Sequence, residues 1–136
     1  MNPNHPPSHE WLGLVYEQQG RDRQAIEEFQ RAITLSGGDY GTGALGHLYA
    51  ASGKREEARN ALKRLDERSR VSYVSPYEKA VIYAGLGQKD ESLKYLQKSF
   101  DERSLSASLL RFDPRLNELR TDPRFQDLMR RAGMTP

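Results

Sequence analysis

The chain is 136 residues long, 36% of them hydrophobic and 29% charged, which is lean for a compact globule and suits an elongated protein with much surface per residue. It has no cysteine, which excludes disulfides and thiolate metal sites, and no apolar run approaches the ~20 residues that span a bilayer. The net charge of +2 is too balanced to favour nucleic acid, and we interpret the seven arginines of residues 103–136 as a solvated helix face. We therefore expect a single domain without membrane insertion, located in the cytoplasm, or in the periplasm if a parent protein is membrane-anchored.

Three glycines mark a repeat over the first hundred residues. Gly20, Gly53 and Gly87 are separated by 33 and 34 residues, and each follows a helical run that a left-handed residue would end. The pattern L-G-x-x-Y precedes the first two glycines, and a weaker third copy keeps Tyr83. After each glycine a small residue is followed four positions later by a large apolar one: Ala25 and Phe29, Ala58 and Leu62, Ser92 and Leu96. Neither helix of such a pair can bury its apolar face alone, so we expect the pairs to stack on one another.

The pattern predicts six helices, paired along the chain as 7–19 with 22–35, 40–52 with 55–69, and 76–86 with 89–102. Beyond them, Asp113-Pro114 and Asp122-Pro123 each combine an N-cap aspartate with a proline suited to the first helical turn, which predicts short helices at 114–120 and 123–132. Five apolar residues of this tail can cap the face that the last pair leaves open: Leu116, Leu119, Phe125, Leu128 and Met129.

The spacing of these motifs resembles the tetratricopeptide repeat, although His9 stands where that repeat usually has tryptophan and Gly37 where a proline usually ends the unit. The resemblance implies an all-α, right-handed α-solenoid of three helix pairs that binds other polypeptides, with repeats at about 6–38, 39–71 and 73–104 and a cap at 105–133. Residues 112–115 and 122–128 also resemble the ending of repeat arrays attached to bacterial winged-helix transcription regulators, serine/threonine kinases and adenylate cyclases. That second resemblance implies a segment of a larger bacterial signalling or regulatory protein.

The sequence carries no pattern for catalysis, a cofactor or a metal. His5 and His9 are four residues apart, but two prolines lie between them, and the H-E-x-x-H zinc signature is absent. The serines at positions 104, 106 and 108 have no nearby histidine to activate them, and no glycine-rich loop carries the lysine of a phosphate site. Acidic pairs such as Glu27-Glu28 are expected on solvent-facing helix surfaces. We therefore predict that the protein is not an enzyme and has no catalytic, cofactor-binding or metal-binding residue.

The concave face of such arrays is lined by the first helix of each pair. Once the packing residues are assigned, the residues left for that face form the predicted peptide-binding groove: Trp11, Leu14, Gln18, Tyr40, His47, Tyr77 and Val81. The positions that would supply a basic clamp for a terminal carboxylate hold Glu10, Leu14, Ala44, Val74 and Glu78, so that clamp is missing. The remaining surface is aromatic, aliphatic and neutral, which favours a protein partner that presents an amphipathic helix or an apolar peptide. The alternative interpretation is that Tyr40 and Tyr77 only pack between repeats.

The N-terminal end suggests a second function, structural self-association. Trp11, Leu14 and Val15 follow a proline-rich start, and no earlier helix of this chain covers them. Burying one such side chain is worth about 1.5–3 kcal/mol, so we expect a weak homodimer that buries Trp11, or a preceding repeat in a longer parent. The competing interpretation is that Trp11 folds inward beside Tyr16 and the chain stays monomeric.

Overall fold

The computed structural model describes residues 4–105 and 107–133, and this part of the chain is helical and contains no β-strand. The long helices are α1 (Pro6–Gln18), α2 (Asp22–Ser36), α3 (Thr42–Ala51), α4 (Arg55–Ser69), α5 (Pro76–Gly85) and α6 (Lys89–Asp101). A short α7 (Ala107–Phe112), a 3₁₀ helix (Pro114–Leu119) and α8 (Pro123–Arg131) follow. Helix α1 packs on α2, α3 on α4, and α5 on α6, and α3 also packs along α5. The predicted all-α solenoid of stacked helix pairs is confirmed.

The long helices begin and end within two residues of their predicted bounds. One feature of the tail differs from expectation, because α7 was not predicted; the short helix predicted at 114–120 is the 3₁₀ helix Pro114–Leu119. The two predicted N-caps are present, because Asp113 accepts the N–H of Arg115 at 3.0 Å and Asp122 accepts that of Arg124 at 2.8 Å. Within the described ranges, every helix falls short of the length and apolar character that crossing a membrane requires.

The same turn joins the two helices of each pair. Gly20, Gly53 and Gly87 have φ values of +74°, +81° and +76°, a left-handed conformation that side chains disfavour. The residue after each glycine donates its N–H to the carbonyl of the repeated tyrosine, at 2.9, 2.8 and 2.9 Å for Tyr16, Tyr49 and Tyr83. This bond satisfies a carbonyl that the helix end would otherwise leave unpaired.

The glycine of the L-G-x-x-Y pattern allows helices to approach closely. A Cβ atom on Gly13 would lie 2.5 Å from the ring of Phe29, and one on Gly46 would lie 2.7 Å from both Ala61 and Ile82. Any larger residue at these positions would push α1 from α2, or α3 from its neighbours. The repeated sequence pattern is therefore a requirement of packing.

The tail closes the apolar face of the last pair, as predicted. The five tail residues expected to do so are buried in one cluster with residues of α5 and α6 such as Val81, Leu93 and Leu96. Leu110 of α7 joins the same cluster.

One acidic residue expected on a solvent-facing surface is buried instead. Glu28 of α2 lies 2.6 Å from His9 Nδ1 and also pairs with Arg31. Glu28 is buried because His9 replaces the tryptophan that is usual at this position of the repeat. A polar ring between α1 and α2 needs a hydrogen-bond partner there.

Candidate interaction surface on the concave face

The chain's own C-terminal segment, residues 107–120, lies beside α5 on the side predicted to be the concave face, and that name is kept here for this side. Tyr77 donates its hydroxyl to Asp113 Oδ2 at 2.6 Å, which joins α5 to the turn before the 3₁₀ helix. Arg120 donates to the carbonyl of Leu110 at 3.1 Å and to that of Asp113 at 2.9 Å. These bonds hold the segment in place as a second layer over α5.

Three of the seven residues predicted for the groove are buried, which corrects the expectation of an open surface there. Tyr77 and Val81 are 6% and 1% exposed, because Leu116 and other apolar residues of the C-terminal segment pack against them. His47 is 7% exposed, since Glu17 of α1 lies beside it and Gly85 of α5 packs against its ring. Contact of these residues with a partner stays a prediction.

The other four predicted residues reach the surface in two separate places. Trp11 is 68% exposed, Gln18 is exposed, and Leu14 between them is half-buried. Tyr40 is also exposed but lies in the turn between α2 and α3, where its N–H is donated to Ser36 Oγ at 2.9 Å. The structure thus brings Trp11, Leu14 and Gln18 together and leaves Tyr40 apart from them.

An apolar cleft of about 550 Å³ lies between α1 and the C-terminal segment. Trp11, Leu14 and Val15 form one wall, and Phe112 and Pro114 form the other. The polar side chains at its edges are Gln18, Gln19, Ser108, Asp113 and Arg115. Phe112 is 71% exposed, so both walls present aromatic surface to solvent.

Two partly buried carboxylates approach the N-terminal end of α3. Glu10 Oε2 accepts the N–H of Gly41 at 2.7 Å, and Glu78 accepts the N–H of Gly43. Burial raises the pKa of Glu10, although the bond from Gly41 and the charge of Arg115 oppose the rise. Burial, and then the charge of Glu10, raises the pKa of Glu78 to about 7.

The charge of Arg115 acts on both Glu10 and Glu78, and on Glu78 it acts after that of Arg68; the ion-pair partner of Arg115 is Asp113. Its Nη2 lies 2.7 Å from Asp113 Oδ2 and its Nε 2.9 Å from Oδ1, a two-pronged ion pair. Burial alone would raise the pKa of Asp113, but the bonds from Arg115 hold that pKa below its usual range. Burial, reinforced by the Asp113 charge, raises the pKa of Tyr77.

A histidine and a glutamate meet deeper in the same face. His47 Nδ1 lies 3.1 Å from Glu17 Oε2, and both side chains are buried. Among the described residues, neither Glu17 Oε1 nor His47 Nδ1 has a hydrogen-bond partner, although both atoms are buried. Glu17 also acts electrostatically on Arg115, which borders the cleft.

Comparison with known families decides what kind of chain this is. Models of the tetratricopeptide repeat match residues 6–39, 43–71 and 77–103, together about two thirds of the chain. The chain is a tetratricopeptide repeat protein. No curated protein and no solved structure matches it.

Tetratricopeptide repeats generally mediate protein–protein interaction and are typically non-catalytic scaffolds. In this tetratricopeptide repeat protein, the described residues contain no group of three or more histidine, aspartate or glutamate side chains arranged to hold a metal. The face between α1 and the C-terminal segment carries an apolar cleft, and partly buried charged groups lie near it.

Sequence reasoning about this repeat protein did not find Phe112 or Arg115 as residues of the concave face. Both residues entered the sequence analysis only as part of residues 112–115, which resemble the ending of certain repeat arrays. Their position opposite α1 depends on the path of the C-terminal segment, for which local sequence holds no signal.

Proposed function

We propose that this chain is a single repeat domain that binds a peptide or helix of a partner protein at the apolar cleft between α1 and the C-terminal segment. The observation that carries the proposal is the exposure of Trp11, 68%, at the edge of a cleft of about 550 Å³. A tryptophan beside an apolar cleft is the type of residue that dominates binding energy in protein interfaces. Of the seven predicted groove residues, Trp11, Leu14 and Gln18 line the proposed binding site.

The broader context of the proposal is a larger bacterial regulatory or signalling protein. Its support is the resemblance of residues 112–115 and 122–128 to the endings of repeat arrays in such proteins. In that setting the repeats would recruit a polypeptide to the parent, with no role in binding nucleic acid or entering a membrane.

Selection of helical peptides from a displayed library against the purified chain tests the proposal. Selected peptides should lose about tenfold or more in affinity for Trp11→Ala, since interface tryptophans commonly contribute 2 kcal/mol or more. Val71→Ala is the matched control, because Val71 is an exposed apolar residue in the loop after α4. Equal losses in both variants, or none in either, would place binding elsewhere.

The second candidate function is self-association through the same apolar surface. It is favoured by the exposure of Trp11 and Phe112 on facing walls of one cleft, which a second copy could cover. Sedimentation over a range of concentrations distinguishes the two functions. A concentration-dependent dimer that Trp11→Glu abolishes would support self-association, and monomers throughout would remove it.

A further inference from the structure

The apolar cleft between α1 and the C-terminal segment offers no free charge to an occupant. Among the described residues that line it, Asp113 and Arg115 are charged, and they pair with each other at 2.7 Å between Oδ2 and Nη2. Asp113 also accepts the hydroxyl of Tyr77, and its side chain is only 4% exposed. A charged group that entered the cleft would lose hydration without gaining a partner, so the lining favours an uncharged occupant.

Both walls of the cleft present aromatic surface. Trp11 is 68% exposed on one wall, and Phe112 is 71% exposed on the other. Leu14 and Val15 of α1 are half-buried, and with Pro114 they complete the apolar lining. Exposed apolar surface in a concave site marks a place where a partner binds, and aromatic-lined grooves are the ones that receive proline-rich segments.

Uncharged hydrogen-bonding groups make up the rest of the lining. Gln18, Gln19 and Ser108 belong to it, and all three are exposed. A glutamine amide can donate two hydrogen bonds, and a serine hydroxyl can donate one. A helix satisfies its backbone carbonyls internally, whereas a polyproline II segment has no internal hydrogen bonds and keeps its carbonyls free to accept. These donors therefore suit an extended proline-rich backbone better than a helical one.

A second cavity, of about 480 Å³, adjoins the cleft. The two share Gln18, Pro114 and Arg115 as lining residues, so an extended occupant can pass from one to the other. Arg55 and Glu118, the additional lining residues with full charges, are of opposite sign. The absence of a net charge therefore continues beyond the apolar part of the cleft.

We propose that the cleft receives an uncharged, proline-rich segment of a partner protein, whose rings pack between Trp11 and Phe112 while Gln18 donates to its backbone carbonyls. This inference rests on the proposed function and specifies the partner's chemistry. A polyproline II segment is ordered before it binds, so it loses little conformational entropy in the cleft. The seven residues that separate Trp11 from Gln18 correspond to about 10 Å along α1, which three or four residues of such a segment span.

Four synthetic peptides of equal length, free of tryptophan and tyrosine, provide the probes. Three are proline-rich and extended, with glutamine, lysine or glutamate at their polar positions, and the fourth is a helix of leucine and glutamine. Trp11 is the only tryptophan of the chain, so a blue shift of its emission reports occupation of the cleft.

The proline–glutamine peptide should bind about tenfold or more tightly than the helix, because its backbone is ordered in advance. The lysine and glutamate versions should bind no more tightly than the glutamine version, since the cleft has no free charge to offer them. The affinity of the glutamine version should also stay the same between low and high salt.

Variants of the chain locate the contacts. Phe112→Leu keeps an apolar side chain but removes the ring, and it should weaken the proline–glutamine peptide about threefold to tenfold. Tyr73→Leu is the matched control, because the ring of Tyr73 is 65% exposed in the loop between α4 and α5. Gln18→Leu removes the amide and should weaken the same peptide about threefold or more without weakening the helix, whereas Gln24→Leu, at an exposed position of α2, should change neither. Circular dichroism of each variant verifies that the helices are intact.

The outcomes separate the inference from the proposed function. Tighter binding of the helix than of the proline–glutamine peptide would overturn the extended segment and leave the cleft as a binding site. A preference for the lysine or glutamate version would overturn the uncharged partner. Equal weakening by Phe112→Leu and Tyr73→Leu, or by Gln18→Leu and Gln24→Leu, would overturn the assigned contacts. Absence of any shift in Trp11 emission with all four peptides would remove the proposed function and the inference together. A shift that grows with protein concentration alone would assign the cleft to a second copy of the chain and overturn the partner segment.

Discussion

Replacing Glu78 by glutamine should stabilise the protein at alkaline pH and change little at acidic pH. Glu78 has a pKa of about 7 in the folded chain against an ordinary value of 4.5, because burial and the charge of Glu10 disfavour its ionised form. For an acid with a raised folded pKa, the favourable contribution is present below about pH 4.5 and is lost as the pH rises through 7.

The size of the effect follows from the difference between the two pKa values. At about 1.4 kcal/mol for each pKa unit, ionising Glu78 in the folded chain costs about 3 kcal/mol above pH 8. Glu78→Gln removes that cost, while its amide oxygen can still accept the N–H of Gly43. We therefore expect the free energy of unfolding to rise by about 3 kcal/mol at about pH 9 and by less than about 1 kcal/mol at about pH 4.5.

Urea unfolding followed by circular dichroism at the two pH values measures this difference. Glu56→Gln, an exposed change on α4, is the control for loss of one negative charge. An NMR titration of the Glu78 side-chain carboxyl adds a direct measurement of its pKa. A stability gain that is equal at both pH values, or larger at the acidic one, would refute the reasoning about burial.

Two further changes test the packing of the solenoid. Gly46→Ala places a methyl group 2.7 Å from Ala61, so despite the helix propensity it gains, it should lower the free energy of unfolding by about 1 kcal/mol or more in urea denaturation. Unchanged stability would mean that the helices can separate without cost. Tyr77→Phe removes the hydroxyl that Asp113 accepts at 2.6 Å and should cost about 1–2 kcal/mol in thermal unfolding, whereas Tyr40→Phe on an exposed ring should cost almost nothing. Equal effects of these two changes would contradict the role of the hydroxyl in holding the C-terminal segment.

Most of the fold could be predicted because its determinants are local. Gly20 and its counterparts end helices through their own backbone conformation, and Gly46 meets its neighbours at a spacing that the repeat fixes. Asp113 and Asp122 start helices through bonds to residues two positions away. Such signals lie within a few residues of the structure they specify, so one sequence reveals them.

The concave face was predicted less well because it depends on contacts between distant residues. Tyr77 and Val81 occupy positions of α5 that were predicted to line the groove. They are buried because apolar residues of the C-terminal segment pack against them. Glu28 looks solvent-facing until His9, nineteen residues earlier, becomes its partner. The place of α7 is set by Leu110 entering the core, a contact with residues of α5 and α6 that are distant in the sequence.

The cleft between α1 and the C-terminal segment also bears on how the chain unfolds. Repeat proteins commonly behave as one-dimensional stacks, in which each unit contacts only its neighbours and ends can unravel separately. Here Arg115 interacts with Glu10 and Glu17, about a hundred residues earlier in the sequence. Because α1 and the C-terminal segment border the same cleft, we expect the loss of either end to weaken the other. Hydrogen exchange should accordingly report one cooperative unit with similar protection in α1 and in the 3₁₀ helix, in place of a gradient that decays towards the termini.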